Sequence, residues 1–300
     1  MHIAYVTGSD RKLFVNAGIL FDSFEEFMPD QTLRICDFGL EDCQRQFFAE
    51  RGTLLPTPSQ LSDYEHPWYR KASLIDFLPD KDFDALIWLD VDMMLTSSLH
   101  DGITALVAEM TEKGESAALC TGARRLTLKG FLAVSRGRRK EVEAFERDLK
   151  RNGVDLSLPY LNAGFFVLTS RRFAEEYRDK VLEQSVGYLF EQFAFNVLVH
   201  RPDEGVHLLS TSEWNVHGVF LETALTPRAQ RQARILHPTP VGNRHNADII
   251  SGRFELEGKT SMNGKFKIFA RHDLQNLQRR HFRRFLEGNF AQLVDCGVMT

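Results

Sequence analysis

The sequence has neither a strong excess of charge nor a long hydrophobic run. The formal net charge is −4 over 300 residues, so a nucleic acid or an anionic membrane would have to bind a local basic patch. No run approaches the ~18 apolar residues that a membrane-spanning helix needs. The N-terminal residues MHIAYVTGSD carry no basic segment before their short apolar run, so they predict a first strand and no signal peptide. We therefore expect a cytoplasmic protein.

Cysteine is scarce and scattered. Cys36, Cys43, Cys120 and Cys296 form no Cys-x-x-Cys pair and no regular framework. This distribution fits a reducing compartment better than a disulfide scaffold, and it argues against structural zinc. The composition, 43% hydrophobic and 26% charged, is that of an ordinary soluble globular protein with one large core, or with one domain and an appendage.

The chain does contain a regular alternation of strand-like and helix-like segments. Strands are predicted at 2–7, 33–39, 84–89, 116–122, 131–135, 161–170, 206–211 and 234–237. Helices are predicted at 16–28, 41–52, 69–78, 100–114, 136–153, 171–184, 189–200 and 272–290, and a proline-containing loop at 53–67. Such alternation predicts an α/β fold with a mostly parallel sheet flanked by helices.

Two aspartates, Asp90 and Asp92, directly follow the apolar run ALIWL at 85–89. Side chains two residues apart in an extended chain point the same way, and ligands bind at the carboxyl ends of strands in open α/β sheets. A divalent cation removes the repulsion between two such carboxylates. Oxygen ligands favour Mg²⁺ or Mn²⁺, and an added imidazole favours Mn²⁺. The alternative is a turn with two solvated aspartates, although apolar runs flank the pair on both sides.

Five segments resemble motifs of one enzyme family. They are LIWLDVDMML (86–95), YLNAGFFVLTSRRF (160–173), FEQFAFN (190–196), EWN (213–215) and ILHPTPVGNRHN (235–246). Their order and spacing are similar to those of the GT-A nucleotide-sugar glycosyltransferases. Within that class they resemble the retaining glycosyltransferase family 8, which includes bacterial lipopolysaccharide galactosyl- and glucosyltransferases and glycogenin.

The resemblance implies a GT-A, Rossmann-like domain over 1–249, with a mixed, mostly parallel sheet flanked by helices. Residues 250–300 are predicted as a C-terminal extension, a hairpin followed by the basic and aromatic helix 272–290. That helix would lie on an anionic inner membrane as a peripheral contact. The alternative is that its phenylalanines pack against the domain beneath an arginine-coated surface.

The resemblance implies a metal site and a phosphate contact. Asp90, Asp92 and His237 would hold Mn²⁺ or Mg²⁺, with His237 as the nitrogen ligand. The alternative for His237 is a core histidine at a strand end. Lys71 stands where the family has an arginine that contacts the donor, and Arg70 is the alternative. Either cation could instead lie on a helix surface.

The transferred sugar would be bordered by Asn162, Ala163 and Gly164, whose small side chains leave room for it. The alternative for Gly164 is a strand glycine that only allows close packing. Glu191 would reach the hydroxyls of the sugar, and Gln192 its anomeric carbon. Because the family has Asp where this chain has Glu191, the extra methylene leaves the choice of sugar open.

The remaining donor contacts implied by the resemblance are Thr7, Asp10, Phe14, Val91, Gly242 and Arg244. Asp10 and Phe14 lie where the family reads the uracil base. Gly242 and Arg244 lie where the family has Gly and Lys on the diphosphate, and an arginine can bind phosphate with bidentate geometry.

The implied activity is metal-dependent transfer of a hexose from a UDP-sugar to a glycan or lipid-linked acceptor, with retention of anomeric configuration and without any nucleic acid partner. The alternatives are an inverting GT-A transferase, a sugar nucleotidyltransferase, or a non-catalytic nucleotide-sugar binding protein. The acceptor is expected at 120–160 and in the C-terminal portion. There the basic runs 124–129 and 136–140 would meet an anionic acceptor, or would be solvated faces.

Overall fold

The computed structural model describes residues 1–78, 83–122, 125–135, 137, 139–217, 232–237, 248–249, 269–270 and 275–298. The chain divides into two compact units. Unit 1 comprises Met1–Ala4, Pro58–Trp88 and His100–Trp214, and unit 2 comprises Tyr5–Thr57, Leu89–Leu99 and Asn215–Thr300. No helix within the described ranges combines the length and the apolar character that crossing a membrane requires.

The described strands are β1 (Ile3–Ser9), β2 (Leu33–Asp37), β3 (Leu54–Leu55), β4 (Ala85–Leu89), β5 (Met94–Leu95), β6 (Ala117–Thr121), β7 (Leu161–Leu168), β8 (Val206–Leu209), β9 (Val216–His217), β10 (Ile235–His237), β11 (Asp248–Ile249) and β12 (Phe269–Ala270). The described helices are α1 (Phe14–Phe27), α2 (Asp42–Ala49), α3 (Pro67–Ala72), α4 (Leu74–Phe77), α5 (His100–Lys113), α6 (Leu128–Val134), α7 (Arg139–Arg151), α8 (Arg171–Leu182), α9 (Phe190–Val199), α10 (Gln275–Gly288) and α11 (Phe290–Asp295). A 3₁₀ turn covers Ser59–Leu61.

The main sheet has seven strands in the order β3-β2-β1-β4-β7-β6-β8. Strand β2 runs parallel to both β1 and β3, and β6 runs parallel to β8 but antiparallel to β7. Strands β1, β4 and β7 are almost entirely buried, as expected for a sheet covered by helices. The predicted α/β class with a mixed, mostly parallel sheet is confirmed.

A second, smaller sheet in unit 2 has the strand order β5-β10-β9. Strand β10 pairs antiparallel with β5 and parallel with β9. Both β5 and β10 are buried. This pairing joins two parts of the chain that are about 140 residues apart in sequence. Local sequence patterns cannot predict such a pairing.

Helix α9 of unit 1 is tied to the first residue of β7 by one buried side chain. The Asn196 amide nitrogen donates to the Leu161 carbonyl at 2.9 Å, and the Leu161 N–H donates to Asn196 Oδ1 at 2.8 Å. Asn196 itself is fully buried. A buried amide with its partners satisfied fixes the register between two elements, so the residues after Leu161 face the first turns of α9.

One predicted strand is wrong. Residues 131–134 belong to helix α6 and not to a strand, and Ser135 is the C-cap of that helix. Thr127 precedes the helix, and its hydroxyl accepts a hydrogen bond from the Gly130 N–H at 3.1 Å, which is an N-cap. Leu128, Phe131 and Leu132 are buried together at helical spacing. The short run FLAVS resembles a strand only when the cap upstream of it is ignored.

The predicted C-terminal helix forms, and it packs onto α1 within unit 2. Phe282 and Phe285 are buried, and a Cβ at Gly18 of α1 would overlap the ring of Phe285, so the glycine permits the close approach. His281 Nδ1 lies 2.7 Å from Asp22 Oδ2, and the Arg284 guanidinium lies 3.3 Å from Asp22 Oδ1. The phenylalanines therefore cover α1 beneath an arginine-coated surface, the second of the two roles left open for this helix.

The expectation that the cysteines stay unpaired is wrong for two of them. Cys43 of α2 and Cys296, just after α11, form a disulfide across 253 residues of sequence, with their Cα atoms 5.4 Å apart. Cys36 and Cys120 are free and buried, and burial raises the pKa of both thiols well above the usual range. The pairing was invisible in the sequence because it depends on how α11 docks beside α2.

We predict that the Cys43→Ser/Cys296→Ser variant is less stable than the wild type by about 2–5 kcal/mol, because the cross-link restricts the unfolded chain. Urea unfolding at neutral pH measures the difference. Tris(carboxyethyl)phosphine should destabilise the wild type by a similar amount and leave the variant unchanged. Thiol titration of the unfolded, non-reduced protein should find only Cys36 and Cys120, and recovery of all four thiols would contradict the disulfide.

Candidate functional site

Two carboxylates and one imidazole converge at the end of the β10 strand in unit 2. The ligand atoms of Asp90, Asp92 and His237 all lie within 4.8 Å of one another. His237 Nε2 is 3.2 Å from Asp92 Oδ1 and 3.8 Å from Asp90 Oδ2. The His237 side chain is buried, whereas both aspartates are partly exposed. The structure therefore brings the three residues of the predicted metal site together.

The second ring nitrogen of His237 fixes the orientation of the imidazole. Nδ1 lies 3.0 Å from Asn215 Oδ1, which is a hydrogen-bond acceptor, so Nδ1 carries the proton. In the neutral ring, Nε2 then directs its lone pair at the two carboxylates. A divalent cation among these three groups would remove the repulsion between the two carboxylates, and an imidazole held by an amide oxygen is the usual arrangement around a metal ligand. The donor set of two carboxylates and one imidazole fits Mn²⁺ or Mg²⁺.

Strand register explains why these residues meet. The Met93 N–H donates to the Asp90 carbonyl at 2.9 Å, so the chain turns between β4 and β5. The turn carries both aspartates. Leu236 of β10 then pairs with Met94 of β5, which brings His237 beside that turn. Val91, predicted as a donor contact, is buried within the turn.

A second acidic cluster in unit 2 is compensated by arginines. Asp22, Glu26 and His281 also bring their ligand atoms close together. However, Arg280 and Arg284 form ion pairs with Glu26, and Arg284 also pairs with Asp22. These guanidinium groups already supply positive charge to the carboxylates, so this cluster is the docking contact of α10 and we do not assign it a metal.

In unit 1, Gln192 is held by three groups around the start of β7. Its Oε1 accepts from the Ala163 N–H at 3.1 Å and from Asn162 Nδ2 at 3.4 Å, and its Nε2 donates to the Tyr160 hydroxyl. Because the Ala163 N–H is only a donor, the carboxamide oxygen must face it. The Gly164 N–H donates to Asn162 Oδ1 at 2.9 Å. The structure thus gathers all four predicted residues of this region.

Glu191, next to Gln192 on α9, belongs to a buried ionic contact. Its Oε1 lies 3.1 Å from Lys71 Nζ and accepts from the Tyr177 hydroxyl at 2.9 Å. Glu191 and Lys71 are only 3% and 6% exposed, so each needs the other for charge compensation. Lys71 Nζ also lies 5.4 Å from the centre of the Trp88 ring.

The residues predicted to contact the nucleotide have mixed placements. Asp10 Oδ1 accepts from the Lys12 and Leu13 N–H groups at 2.8 and 2.9 Å, so it caps the turn before α1. The Thr7 hydroxyl is buried and has no hydrogen-bond partner within the described residues. Phe14 is fully buried against the rings of α2 and α10, and it presents no open face to a base.

The remaining predicted contacts divide into two cases. Arg70, the alternative to Lys71, is 9% exposed, and its Nε donates a hydrogen bond to the Tyr64 carbonyl at 3.1 Å. Gly242 and Arg244 lie outside the described residues. Within the basic runs 124–129 and 136–140, Arg124, Arg136 and Arg138 also lie outside the described residues.

Three residues of these sites were not assigned a role from the sequence. Asn215 orients His237, Tyr160 holds the Gln192 amide, and Tyr177 binds Glu191. Asn215 and Tyr160 belong to segments that carry the family resemblance, so their position within a motif was a signal. Tyr177 is in the middle of amphipathic helix α8, where a buried tyrosine looks like any other core residue.

No protein-family model matches the chain, and no curated protein matches it. Solved structures do match. The apo structure of the bifunctional glycosyltransferase WbbM aligns with a TM-score of 0.53 and 12% identity over 82% of this chain, which spans 47% of WbbM. Galactosyltransferase LgtC, in complex with donor and acceptor sugar analogues, aligns with a TM-score of 0.51 and 15% identity over 81% of this chain and 87% of LgtC.

A third match is the glycosyltransferase GlyE of Streptococcus pneumoniae TIGR4, with a TM-score of 0.51 and 15% identity over 96% of this chain and 64% of GlyE. At such identities the similarity is one of fold. The chain therefore has the fold of the glycosyltransferases. More particularly, its mixed seven-stranded sheet is that of the GT-A class, as the sequence resemblance implied.

Proposed function

We propose that this protein is a metal-dependent glycosyltransferase that moves a hexose from a UDP-sugar to a glycan or glycolipid acceptor with retention of anomeric configuration. The observation that carries the proposal is the cluster of Asp90, Asp92 and His237, with His237 Nε2 turned toward both carboxylates by Asn215. This cluster occurs in a chain with the GT-A fold.

Asp90, Asp92 and His237 would hold a divalent cation, Mn²⁺ or Mg²⁺. When bound, the cation would act as a Lewis acid that stabilises negative charge on the departing diphosphate. Asn215 keeps the Nε2 lone pair of His237 directed at the carboxylates, so the ligand geometry is set before the donor arrives. The side chains thereby fix where the diphosphate binds.

We assign Gln192 to the anomeric carbon of the donor sugar. Its carboxamide is held by Ala163 and Tyr160, so it would stabilise the oxocarbenium-like centre without reorganising. An amide is too weak a nucleophile for a covalent step. The bond from the anomeric carbon to the acceptor oxygen would form on the face from which the diphosphate leaves, and a diphosphate oxygen would take the acceptor proton.

The donor contacts are proposed as follows. Asn162, Ala163 and Gly164 border the sugar, and Glu191 reaches its hydroxyls. Lys71 binds the diphosphate and is restrained by Glu191, which accepts a hydrogen bond from the Tyr177 hydroxyl. The contacts proposed for the nucleotide and the diphosphate are Thr7, Asp10, Val91, Gly242 and Arg244. Phe14 is omitted because its ring is enclosed by other phenylalanines.

A panel of UDP-, GDP- and ADP-sugars, tested with Mn²⁺ and with EDTA, is the decisive experiment. We expect a metal-dependent thermal shift with at least one UDP-sugar and metal-dependent release of UDP. The anomeric configuration of the transfer product, read by NMR, tests retention. Binding without release of nucleotide would indicate a non-catalytic protein, formation of a nucleoside triphosphate when pyrophosphate is added a nucleotidyltransferase, and an inverted product an inverting enzyme.

We predict that Tyr160→Phe lowers kcat about tenfold and leaves KM for the donor nearly unchanged. The variant removes the hydroxyl that accepts from Gln192 Nε2, and loss of one such orienting hydrogen bond corresponds to about 1.4 kcal/mol. The ring stacking on Phe131, with centroids 3.7 Å apart, is retained, so the fold should persist. Tyr64→Phe, at a partly exposed tyrosine of the same unit, is the matched control. Equal loss in both variants would contradict an orienting role.

A further inference from the structure

We propose that a cavity between helices α7 and α9 binds one pyranose unit of a saccharide acceptor. The cavity has a volume of about 230 Å³ and lies wholly in unit 1. Its wall includes Phe145, Phe190 and Phe193, and its rim includes Glu141 and Asp148. The role of this cavity as an acceptor subsite rests on the proposed function. Binding of a saccharide in the cavity does not, and it can be tested separately.

Aromatic rings form the floor of the cavity. Phe145 of α7 and Phe193 of α9 are stacked with their centroids 4.2 Å apart, and Tyr188 meets Phe193 edge to face at 6.0 Å. The facing surfaces of Phe145 and Phe193 are occupied by each other, so Tyr188, which is partly exposed, is the ring that presents an electron-rich face to a ligand. A pyranose has axial C–H groups on its apolar faces, and these groups can pack against such a ring.

The rim suits hydroxyl groups better than it suits an ion. Asp148 is already compensated by Lys180, whose Nζ lies 3.2 Å from Asp148 Oδ2, and by Arg151 at 3.6 Å. Glu141 adds a second carboxylate to the rim from the same face of α7, since the two residues are seven apart. The rim therefore combines carboxylates, which accept hydrogen bonds, with cationic side chains, which donate them. A neutral ligand with several hydroxyl groups can bond to both kinds of group.

The size of the cavity limits the ligand. At about 230 Å³, it is smaller than the ~300–1,000 Å³ of sites that hold drug-sized ligands. One sugar ring is of the appropriate size, and a disaccharide would extend into solvent. A long apolar chain is disfavoured because charged and polar groups interrupt the wall.

The cavity and the proposed catalytic residues share helix α9. Phe190 and Phe193 line the cavity, while Glu191 and Gln192 between them turn to β7 and Lys71. A sugar bound in the cavity would thus lie on the other face of the helix that orients the reaction centre. This arrangement is expected for a subsite that holds a distal unit of an oligosaccharide acceptor.

Ala144 offers a way to fill the cavity from outside. It lines the cavity, yet it lies on the exposed surface of α7, so Ala144→Trp should occlude the space without disturbing the core. Lys150→Trp introduces the same side chain on the opposite face of α7, at a residue that is 63% exposed, and is the matched control. Glu141→Ala, which only removes a rim carboxylate, serves as a second variant should Ala144→Trp fail to fold.

Saturation-transfer NMR with the methyl glycosides of glucose, galactose and N-acetylglucosamine, and with phenylethylamine as a cationic probe, tests the inference. We expect at least one glycoside to bind the wild type and Lys150→Trp alike, and to bind Ala144→Trp at least about tenfold more weakly. Glu141→Ala should weaken the same glycoside. Binding of phenylethylamine alone, equal glycoside binding by Ala144→Trp, or no glycoside binding would each overturn the proposal.

The same variants separate this inference from the proposed transferase activity. Ala144→Trp should release UDP into water at the wild-type rate while transfer to an oligosaccharide acceptor becomes at least about tenfold less efficient. If no nucleotide sugar is turned over by the wild type but glycoside binding depends on Ala144, the transferase proposal fails and the saccharide site stands. If nucleotide-sugar turnover is normal and Ala144→Trp binds glycosides as well as the wild type does, the saccharide site is refuted and the transferase proposal is unaffected.

Discussion

Replacement of Asp92 by asparagine should lower metal-dependent release of UDP from the donor at least about a hundredfold. Asparagine keeps the size of the side chain and removes its charge. Asp92 Oδ1 is the carboxylate oxygen nearest to His237 Nε2, at 3.2 Å, so its charge contributes most where the imidazole lone pair points. Without it, one carboxylate and one imidazole remain to bind a divalent cation.

The loss should follow metal affinity. Titration of Mn²⁺, monitored by the relaxation rate of water protons, should show weaker binding by Asp92→Asn, and added Mn²⁺ should recover part of the activity. Asp101→Asn, at an exposed aspartate in the first turn of α5, is the control and should behave as the wild type. Wild-type turnover that persists in EDTA would refute the role of the metal.

The acidic half of this site could be predicted from local sequence. The apolar runs on both sides place Asp90 and Asp92 at the end of a buried strand. In the structure the two carboxylates converge because the chain turns there, and not because side chains alternate along a strand. His237 could be added only through the resemblance to a family. The contact of His237 with the two aspartates depends on the pairing of β10 with β5. The pairing of strands that are far apart in sequence cannot be predicted from the periodicity of a single sequence.

The C-terminal part illustrates a different limit. The spacing of phenylalanines and arginines at 272–290 predicts an amphipathic helix, and α10 forms there. Periodicity cannot tell whether such a face covers a membrane or another helix. In the structure Gly18 of α1 leaves room for the ring of Phe285, so this phenylalanine packs on α1, while peripheral membrane contact stays a prediction. The Cys43–Cys296 disulfide depends on the same docking.

Sequence reasoning treated Lys71 and Glu191 as two separate donor contacts, whereas the structure makes them partners at 3.1 Å. They are 120 residues apart in sequence, by their numbering, and nothing local to either residue indicates the pairing. The resemblance assigned a donor contact to each position and said nothing about their mutual charge compensation. That compensation has a large consequence for stability.

Lys71→Met should destabilise the protein by about 3–5 kcal/mol at neutral pH, because it removes the ammonium group that lies 3.1 Å from the buried Glu191 carboxylate. Urea unfolding measures the loss. The double variant Lys71→Met/Glu191→Gln should recover most of it, since a neutral amide can still accept from the Tyr177 hydroxyl. Lys113→Met, which removes an ion pair between side chains that are about half exposed, should have almost no effect because solvent screens that pair.

The double variant distinguishes a buried charge from a simple loss of packing. Recovery in Lys71→Met/Glu191→Gln assigns the loss to the carboxylate that lies 3.1 Å from the lysine ammonium. A double variant that is as unstable as Lys71→Met would instead assign the loss to packing of the lysine stem against Trp88.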